Sequence, residues 1–339
     1  MKRTIKFLAV SLALALTVCG LSACSDSSQT TSQKPAKSQT PTAAVSSAAK
    51  TTGDFIVGFS NNNDLYPYCV KFREYLQKDA EKEGLKILVA NAKGDTNVQN
   101  GQIDNFIVQN AQIVSAISND LNGSVPALEA ARAKDIPYIS FLTSVKGGDD
   151  YNKYIYIGSQ NYDAGLLQGQ YLAKVLKKDA KILYMTGSPN DQQCIDRKKG
   201  FKEGLKSRTD VKILAELNSN NTKDKGVSIT EDWMQAYDSF DAIIGQNDDS
   251  VLGAIEALKS SNRLKGVITV GIDGSDDALA SIQKGEMTMS VLQDAKAQAE
   301  AGVSVMKQVR DGVDPATIKD VLVPFQAVSK DNVATYLNK

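Results

Sequence analysis

From Asp54 onward the chain alternates between two hydrophobic periods. Short, β-rich apolar runs recur at residues 55–59, 85–90, 112–118, 136–142, 154–157, 181–185, 211–217, 242–245, 267–272 and 287–292. Between them lie stretches with helical spacing. Tyr68, Phe72, Leu76 and Ala80 share one helical face, as do Ala164, Gln168, Tyr171 and Val175 around Leu167. Gly84 closes the first of these helices and the next strand begins at once. Strands alternating with crossover-length helices predict parallel sheets covered on both faces. The strands are too many for one compact sheet, the series restarts near Gly158, and no repeat of solenoid length is visible. The pattern predicts an α/β protein with two doubly wound lobes. Ligands of such sheets bind beyond the C-terminal strand ends, so two facing lobes would make a cleft between domains.

The segment before Asp54 has another character. Lys2, Arg3 and Lys6 precede an apolar stretch at residues 7–18, and then comes Leu21-Ser22-Ala23-Cys24. A basic start, a short apolar run and small residues form an export signal. The stretch is too short to span a bilayer, which needs roughly 20 residues. The tetrad ending in Cys24 resembles the bacterial lipoprotein signal, whose cysteine takes a diacylglycerol and becomes the new N-terminus; an ordinary secretory signal is the alternative. Thirteen of the 28 residues at 25–52 are Ser or Thr, and Val45 is the only aliphatic residue larger than alanine. Such a segment buries too little apolar surface to offset its chain entropy and predicts a solvated tether.

Composition narrows the function. The chain has 339 residues, 39 basic and 39 acidic side chains and no histidine. Its length is too great for one ordinary core. Cleavage before Cys24 would leave 36 basic against 39 acidic residues, which gives no electrostatic case for nucleic acid or an anionic membrane surface. The missing histidine removes Ser/His/Asp triads, Cys/His pairs and imidazole metal ligands. Past Cys24 only Cys69 and Cys194 remain. They are no disulfide framework or zinc site; buried free thiols are expected, with a bridge as the alternative. No GxSxG elbow, P-loop or zinc spacing occurs, so neither an enzyme nor a cofactor is expected.

The informative positions follow the apolar runs. Residues 242–245 lead into Gln246-Asn247-Asp248-Asp249-Ser250, 267–272 into Asp273-Gly274-Ser275-Asp276-Asp277, and 287–292 into Gln293-Asp294. The loop after Met185 holds Asp191-Gln192-Gln193 and then Arg197, and the first strand is followed by an Asn-rich turn ending in Tyr66-Pro67-Tyr68. Asp248, Ser275, Asp276 and Asp277 suit helix caps and first turns. Asn247, Asp273 and Arg197 stand where a ligand in the cleft would meet them.

In order and spacing these positions resemble a known family. Asn247-Asp248 with Gly253-Ala254-Ile255-Glu256-Ala257-Leu258, then Val270-Gly271-Ile272-Asp273-Gly274, is similar to the ribose-type and glucose/galactose-type solute-binding proteins of ABC transporters. Ile157-Gly158-Ser159 with Ala164-Gly165 and Gln168-Gly169, Arg197 with Gly200-Phe201, Val291-Leu292-Gln293-Asp294-Ala295 with Gln298-Ala299, and Val323-Pro324 extend the likeness over about residues 55–333.

The resemblance implies two flavodoxin-like lobes joined by three crossings, near Gly158, Gln293 and Val323, with solute between them. It implies residues 1–23 as signal peptide and 24–53 as lipid-anchored tether. Residues 54–158 with 294–323 would form the N-terminal lobe, and 159–293 with 324–339 the C-terminal lobe. It places Tyr68 as a ring against a sugar's C–H face, and Arg197, Asn247, Asp273 and Gln293 on sugar hydroxyls, with Ser118 or Asn119 as a further polar contact. Carboxylate, guanidinium and amide groups suit such hydroxyls. The chain departs from the family at Leu142-Thr143, where the ribose type has an acidic–basic pair, and at Asn221, where a second aromatic stands. The segment at 176–180 is too short for the calcium loop of the glucose/galactose type, so no metal is expected. These departures suggest a solute other than ribose or galactose, with Tyr66 and Gln193 as replacement contacts. The function implied is a monomeric, lipid-anchored extracytoplasmic protein that binds a neutral sugar or polyol and delivers it to ABC permease subunits. A ligand-presenting receptor for a membrane sensor is the alternative. A repressor core of the same fold would need a helix-turn-helix where this chain has an export signal.

Overall fold

The computed structural model describes residues 54–189 and 191–337. The export signal, Cys24 and the tether lie outside the described residues. The first half runs β1 (Ile56–Asn61), α1 (Pro67–Lys82), β2 (Lys86–Asn91), α2 (Thr96–Val108), β3 (Ile113–Ile117), α3 (Val125–Ala133), β4 (Tyr138–Phe141) and β5 (Tyr154–Gly158). The second half repeats the scheme with α4 (Asn161–Val175), β6 (Lys181–Thr186), α5 (Gln192–Leu205), β7 (Lys212–Asn218), α6 (Lys223–Ala236) and β8 (Ala242–Gly245). It continues through α7 (Asp248–Ser260), β9 (Ile268–Asp273), α8 (Asp276–Lys284) and β10 (Met289–Leu292), and ends with α9 (Ala295–Arg310), β11 (Val321–Leu322) and β12 (Gln326–Ser329).

Two sheets result, ordered β11-β5-β4-β3-β1-β2 and β12-β10-β9-β8-β6-β7. Every pairing is parallel except β10 with β12. Both cores of five strands share the doubly wound order with one reversal of winding, and such an order leaves a crevice at the strand C-termini. All ten apolar runs became strands, shifted by a residue or two. The two edge strands β11 and β12 carry no sequence signal, because they are two and four residues long and mostly exposed.

The chain passes between the sheets three times. It leaves the first after β5, since α4 packs through Ala164 and Leu172 on the core of the second. It returns after β10, since α9 packs Ala295, Ala299, Val303 and Met306 on the core formed by Phe59, Phe72, Leu76 and Phe141. It crosses again between β11, in the first sheet, and β12, in the second. The expected crossings near Gly158, Gln293 and Val323 are the crossings seen.

One helix contact sets the site directly. Helices α4 and α5 approach backbone to backbone: a Cβ at Gly165 would lie 1.8 Å from the Arg197 carbonyl oxygen, and one at Gly200 1.9 Å from that of Tyr162. No side chain fits either position. The glycines therefore bring Arg197 to the second sheet's strand ends.

Candidate functional site

Between the C-terminal ends of the two sheets lies a cleft of about 1490 Å³. The first lobe lines it with Tyr66 and Tyr68 from the start of α1, Ser118 and Asn119 after β3, and Leu142 and Thr143 after β4. The second lobe contributes Gln193 and Arg197 from α5, Asn221 after β7, Asn247 after β8 and Asp273 at the end of β9. Gln293 enters from the crossing after β10. All nine sequence-predicted contacts thus share one cavity.

Arg197 is the buried centre of the second lobe's wall, 4% exposed. Its Nη1 donates to the Gln246 carbonyl at 2.6 Å, its Nε to Asn161 Oδ1 at 3.1 Å and its Nη2 to Gln293 Oε1 at 3.2 Å. Three fixed bonds hold the guanidinium plane still. Asp273 Oδ1 stands 4.0 Å from Arg197 Nη1, an ion pair too long for a direct hydrogen bond. Burial pushes the Asp273 carboxyl up to about 7, although Arg197 pulls the other way. Its backbone is unusual, with φ at +127°, a region L-residues avoid.

Asn247 lines the cleft but is largely committed elsewhere. It caps α7: its Oδ1 accepts from the Ser250 amide at 3.2 Å and the Ser250 hydroxyl at 2.6 Å, while its Nδ2 donates to the Asn221 carbonyl at 2.9 Å. Asp248 therefore does not cap that helix. Ser275 does cap α8 through the Ala278 amide at 3.3 Å, and Asp276 pairs with Lys71 of the first lobe at 2.7 Å.

The first lobe's wall combines tyrosines and amides at the strand ends with the charged residues Asp64, Lys71, Glu74 and Asp120. Tyr68 is held by its hydroxyl, which donates to Gln298 Oε1 at 2.5 Å. The same Gln298 donates through Nε2 to Ser159 Oγ at 2.7 Å, and Ser159 donates to the Val323 carbonyl at 2.5 Å. The aromatic contact is thereby wired to crossing segments of the chain. The Asn119 amide donates to Gln99 Oε1 at 3.0 Å, while its buried Nδ2 finds no hydrogen-bond partner among the described residues. Ser118 lines the same stretch, beside Tyr138.

Leu142 and Thr143, where the sequence departs from the ribose-type pattern, form a tight turn. Leu142 has φ at +63°, and the Thr143 amide donates to the Phe141 carbonyl at 2.6 Å. The Tyr156 hydroxyl and the Ser140 hydroxyl hold the turn through the Leu142 and Thr143 carbonyls at 2.9 and 2.6 Å. Thr143 Oγ1 then accepts from Gln193 Nε2 of the opposite lobe at 2.8 Å. Gln193 thus touches the first lobe as well as the cavity.

Three further lining groups were not among the expected solute contacts. Asp191 caps α5 through the Gln193 amide at 2.9 Å, and burial raises its carboxyl above the ordinary range. Cys69 and Cys194 are both buried, free and in the cleft wall. Burial raises both thiols, Cys194 to about 12, so neither is a thiolate at neutral pH. They follow Tyr68 and Gln193 in the chain, and no spacing rule marks them. Among the described residues no helix is long and apolar enough to cross a membrane.

Comparison with known proteins gives one consistent set. A family model described as the periplasmic binding protein domain matches residues 23–313. A protein of Rhizobium meliloti assigned provisionally to rhizopine binding is 30% identical over 76% of this chain and 84% of its own. The ribose import binding protein of Bacillus subtilis is 26% identical over 71% of this chain and 76% of its own. The solved solute-binding protein of an ABC transporter from Bacillus halodurans, with bound myo-inositol, superposes with a TM-score of 0.79 at 26% identity, over 84% of this chain and 98% of the other.

Proposed function

The chain belongs to the periplasmic binding protein family, and from that premise we propose that it takes a neutral sugar or polyol into the cleft and delivers it to an ABC permease. The relatives named for ribose import and solved with myo-inositol handle hydroxyl-rich solutes. The observation that carries the reading is the pairing of two unlike walls. Arg197 and Asp273 lie 4.0 Å apart on one side, and the fixed Tyr68 and the unpartnered Asn119 Nδ2 lie on the other. A carboxylate accepts from hydroxyls, a guanidinium edge and an amide donate to them, and an aromatic ring covers C–H faces. Closure of the lobes excludes water and strengthens each polar contact.

The proposed contacts are Tyr68, Asn119, Arg197, Asp273 and Gln293, with Ser118, Tyr66, Gln193 and Asn247 around them. A thermal melt of the purified protein against pentoses, hexoses, polyols and nucleosides tests the solute class. A solute at 100 times its dissociation constant adds about 2.7 kcal/mol of stability. A flat response to every carbohydrate and polyol, with a shift from a nucleoside, would overturn the assignment. Anchoring through Cys24 belongs to the same proposal and rests on the signal tetrad. Cys24→Ala moves the protein from the membrane fraction to the soluble one; unchanged partitioning contradicts the anchor.

A further inference from the structure

We propose that Asp248 is a positioning residue: with Ser290 it clamps the turn after β9 and so aims Asp273 into the cleft. Asp273 is followed by Gly274 at φ +67°, so two successive residues take positive φ where the strand gives way to α8. Nothing in the local sequence favours that conformation at Asp273, and the surroundings must impose it. The two amides that follow are both held. The Gly274 amide donates to Ser290 Oγ at 3.0 Å, and the Ser275 amide donates to Asp248 Oδ2 at 2.8 Å. The Ser290 hydroxyl closes the clamp by donating to Asp248 Oδ1 at 2.6 Å.

Asp248 and Ser290 are both 0% exposed, and neither lines the cleft. Asp248 has no capping role to explain it, since Asn247 caps α7. A carboxylate buried without a basic partner is costly to retain. Here each of its oxygens takes one donor, the Ser275 amide and the Ser290 hydroxyl, whereas an asparagine side chain would face one of those positions with its NH₂ group. The fold also reserves the space: a Cβ at Gly271 would lie 2.3 Å from Asp248 Oδ1. The titratable and charged groups that face Asp273 are Arg197 from α5, Asp248 and Asp249 from α7, and Tyr68 and Cys69 from α1.

Two measurements on the intact protein test the clamp, and only the second rests on the solute reading above. The first follows the Asp273 carboxyl carbon by NMR against pH, with the signal assigned through Asp273→Asn. In the native protein the midpoint is expected near 7. Ser290→Ala, or Gly271→Ala should that variant fail to fold, lets the turn relax into water and moves the midpoint toward the ordinary carboxylate range. An unmoved midpoint in a folded variant overturns the proposal, even if the variant melts earlier. The second titrates myo-inositol by calorimetry. Ser290→Ala weakens binding about tenfold, but less than about twofold when Asp273 is already asparagine, because the clamp acts through Asp273. Equal losses in both backgrounds overturn the positioning role. If the native protein binds no myo-inositol, the tightest binder of the carbohydrate and polyol panel takes its place; if none of them binds, the solute reading is at fault and the NMR titration alone decides the clamp.

Discussion

The two walls of the cleft are built on opposite principles. The second lobe presents a guanidinium locked by three hydrogen bonds and a partly buried carboxylate beside it. The first lobe presents tyrosines, a serine and amides at its strand ends. Among its charged lining residues Asp64, Lys71, Glu74 and Asp120, two are held in ion pairs, Asp64 with Arg73 at 3.2 Å and Lys71 with Asp276 at 2.7 Å. A desolvated charge gains far more from a well-placed hydroxyl than a neutral group does. The second lobe should therefore carry affinity and orientation, while the first supplies a ring face and the shape that closes over the solute.

Mutations that break the asymmetry should fall in that order. Asp273→Ala or Arg197→Ala should weaken solute binding by about a hundredfold or more, since hydrogen bonds to charged groups contribute about 1.5–3 kcal/mol each. The two differ in stability. Arg197→Ala leaves the Gln246 carbonyl and Gln293 Oε1 short of a donor and should lower Tm. Asp273→Asn should raise the Tm of the solute-free protein at pH 8 by roughly 2–4 °C, the equivalent of about 1 kcal/mol.

The sign of that shift follows from linkage. With Asp273 raised to about 7 from 3.8, the folded protein holds a proton that the unfolded chain has released between those values. The solute-free protein therefore loses stability as pH rises through that window, and neutralising the group removes the loss. Binding runs the other way. A solute that donates hydroxyls to the ionised carboxylate favours deprotonation, so affinity should rise with pH up to about 7 and fall by up to about tenfold per unit below it. Calorimetric titrations between pH 5.5 and 8 check this, and Asp273→Asn should flatten the profile.

On the first lobe's wall, Tyr68→Ala should cost about tenfold in affinity and Tyr68→Phe less, because phenylalanine keeps the ring and loses only the bond to Gln298. Asn119→Ala should cost about threefold, for one amide donor. The smallest effect belongs to the Lys71–Asp276 pair across the mouth. Its side chains are 40% and 78% exposed, and such pairs contribute about 0–1 kcal/mol. Lys71→Ala should change affinity by less than about twofold, at the low end of that range.

The same asymmetry decides what the sequence could reveal. Strand-end residues were legible because a parallel sheet is a nearly continuous apolar run, so the first polar residue after it marks the crevice. Asp273 and Asn247 stood out for that reason, Arg197 because it follows the loop after β6, and Gln293 as a contact only through the family resemblance. Function and capping look alike at such positions, which is why Asn247 read as a ligand contact although its amide closes α7. Asp248 read as a cap because its partners, Ser275 and Ser290, are 27 and 42 residues away and meet it only in the folded sheet. The Leu142 turn was illegible for a different cause. A leucine at φ +63° runs against its local preference and is held by hydroxyls of Ser140 and Tyr156. Cys69 and Cys194 came to the cleft by their neighbours' placement, with no pattern of their own.

A crystal structure of the protein with the tightest-binding solute from the carbohydrate and polyol panel tests the central claim most directly. The solute is expected between the lobes, with hydroxyls within hydrogen-bond distance of Asp273 and Arg197 and a C–H face against Tyr68. A solute seated elsewhere, or in the cleft with neither Arg197 nor Asp273 touching it, would contradict the account.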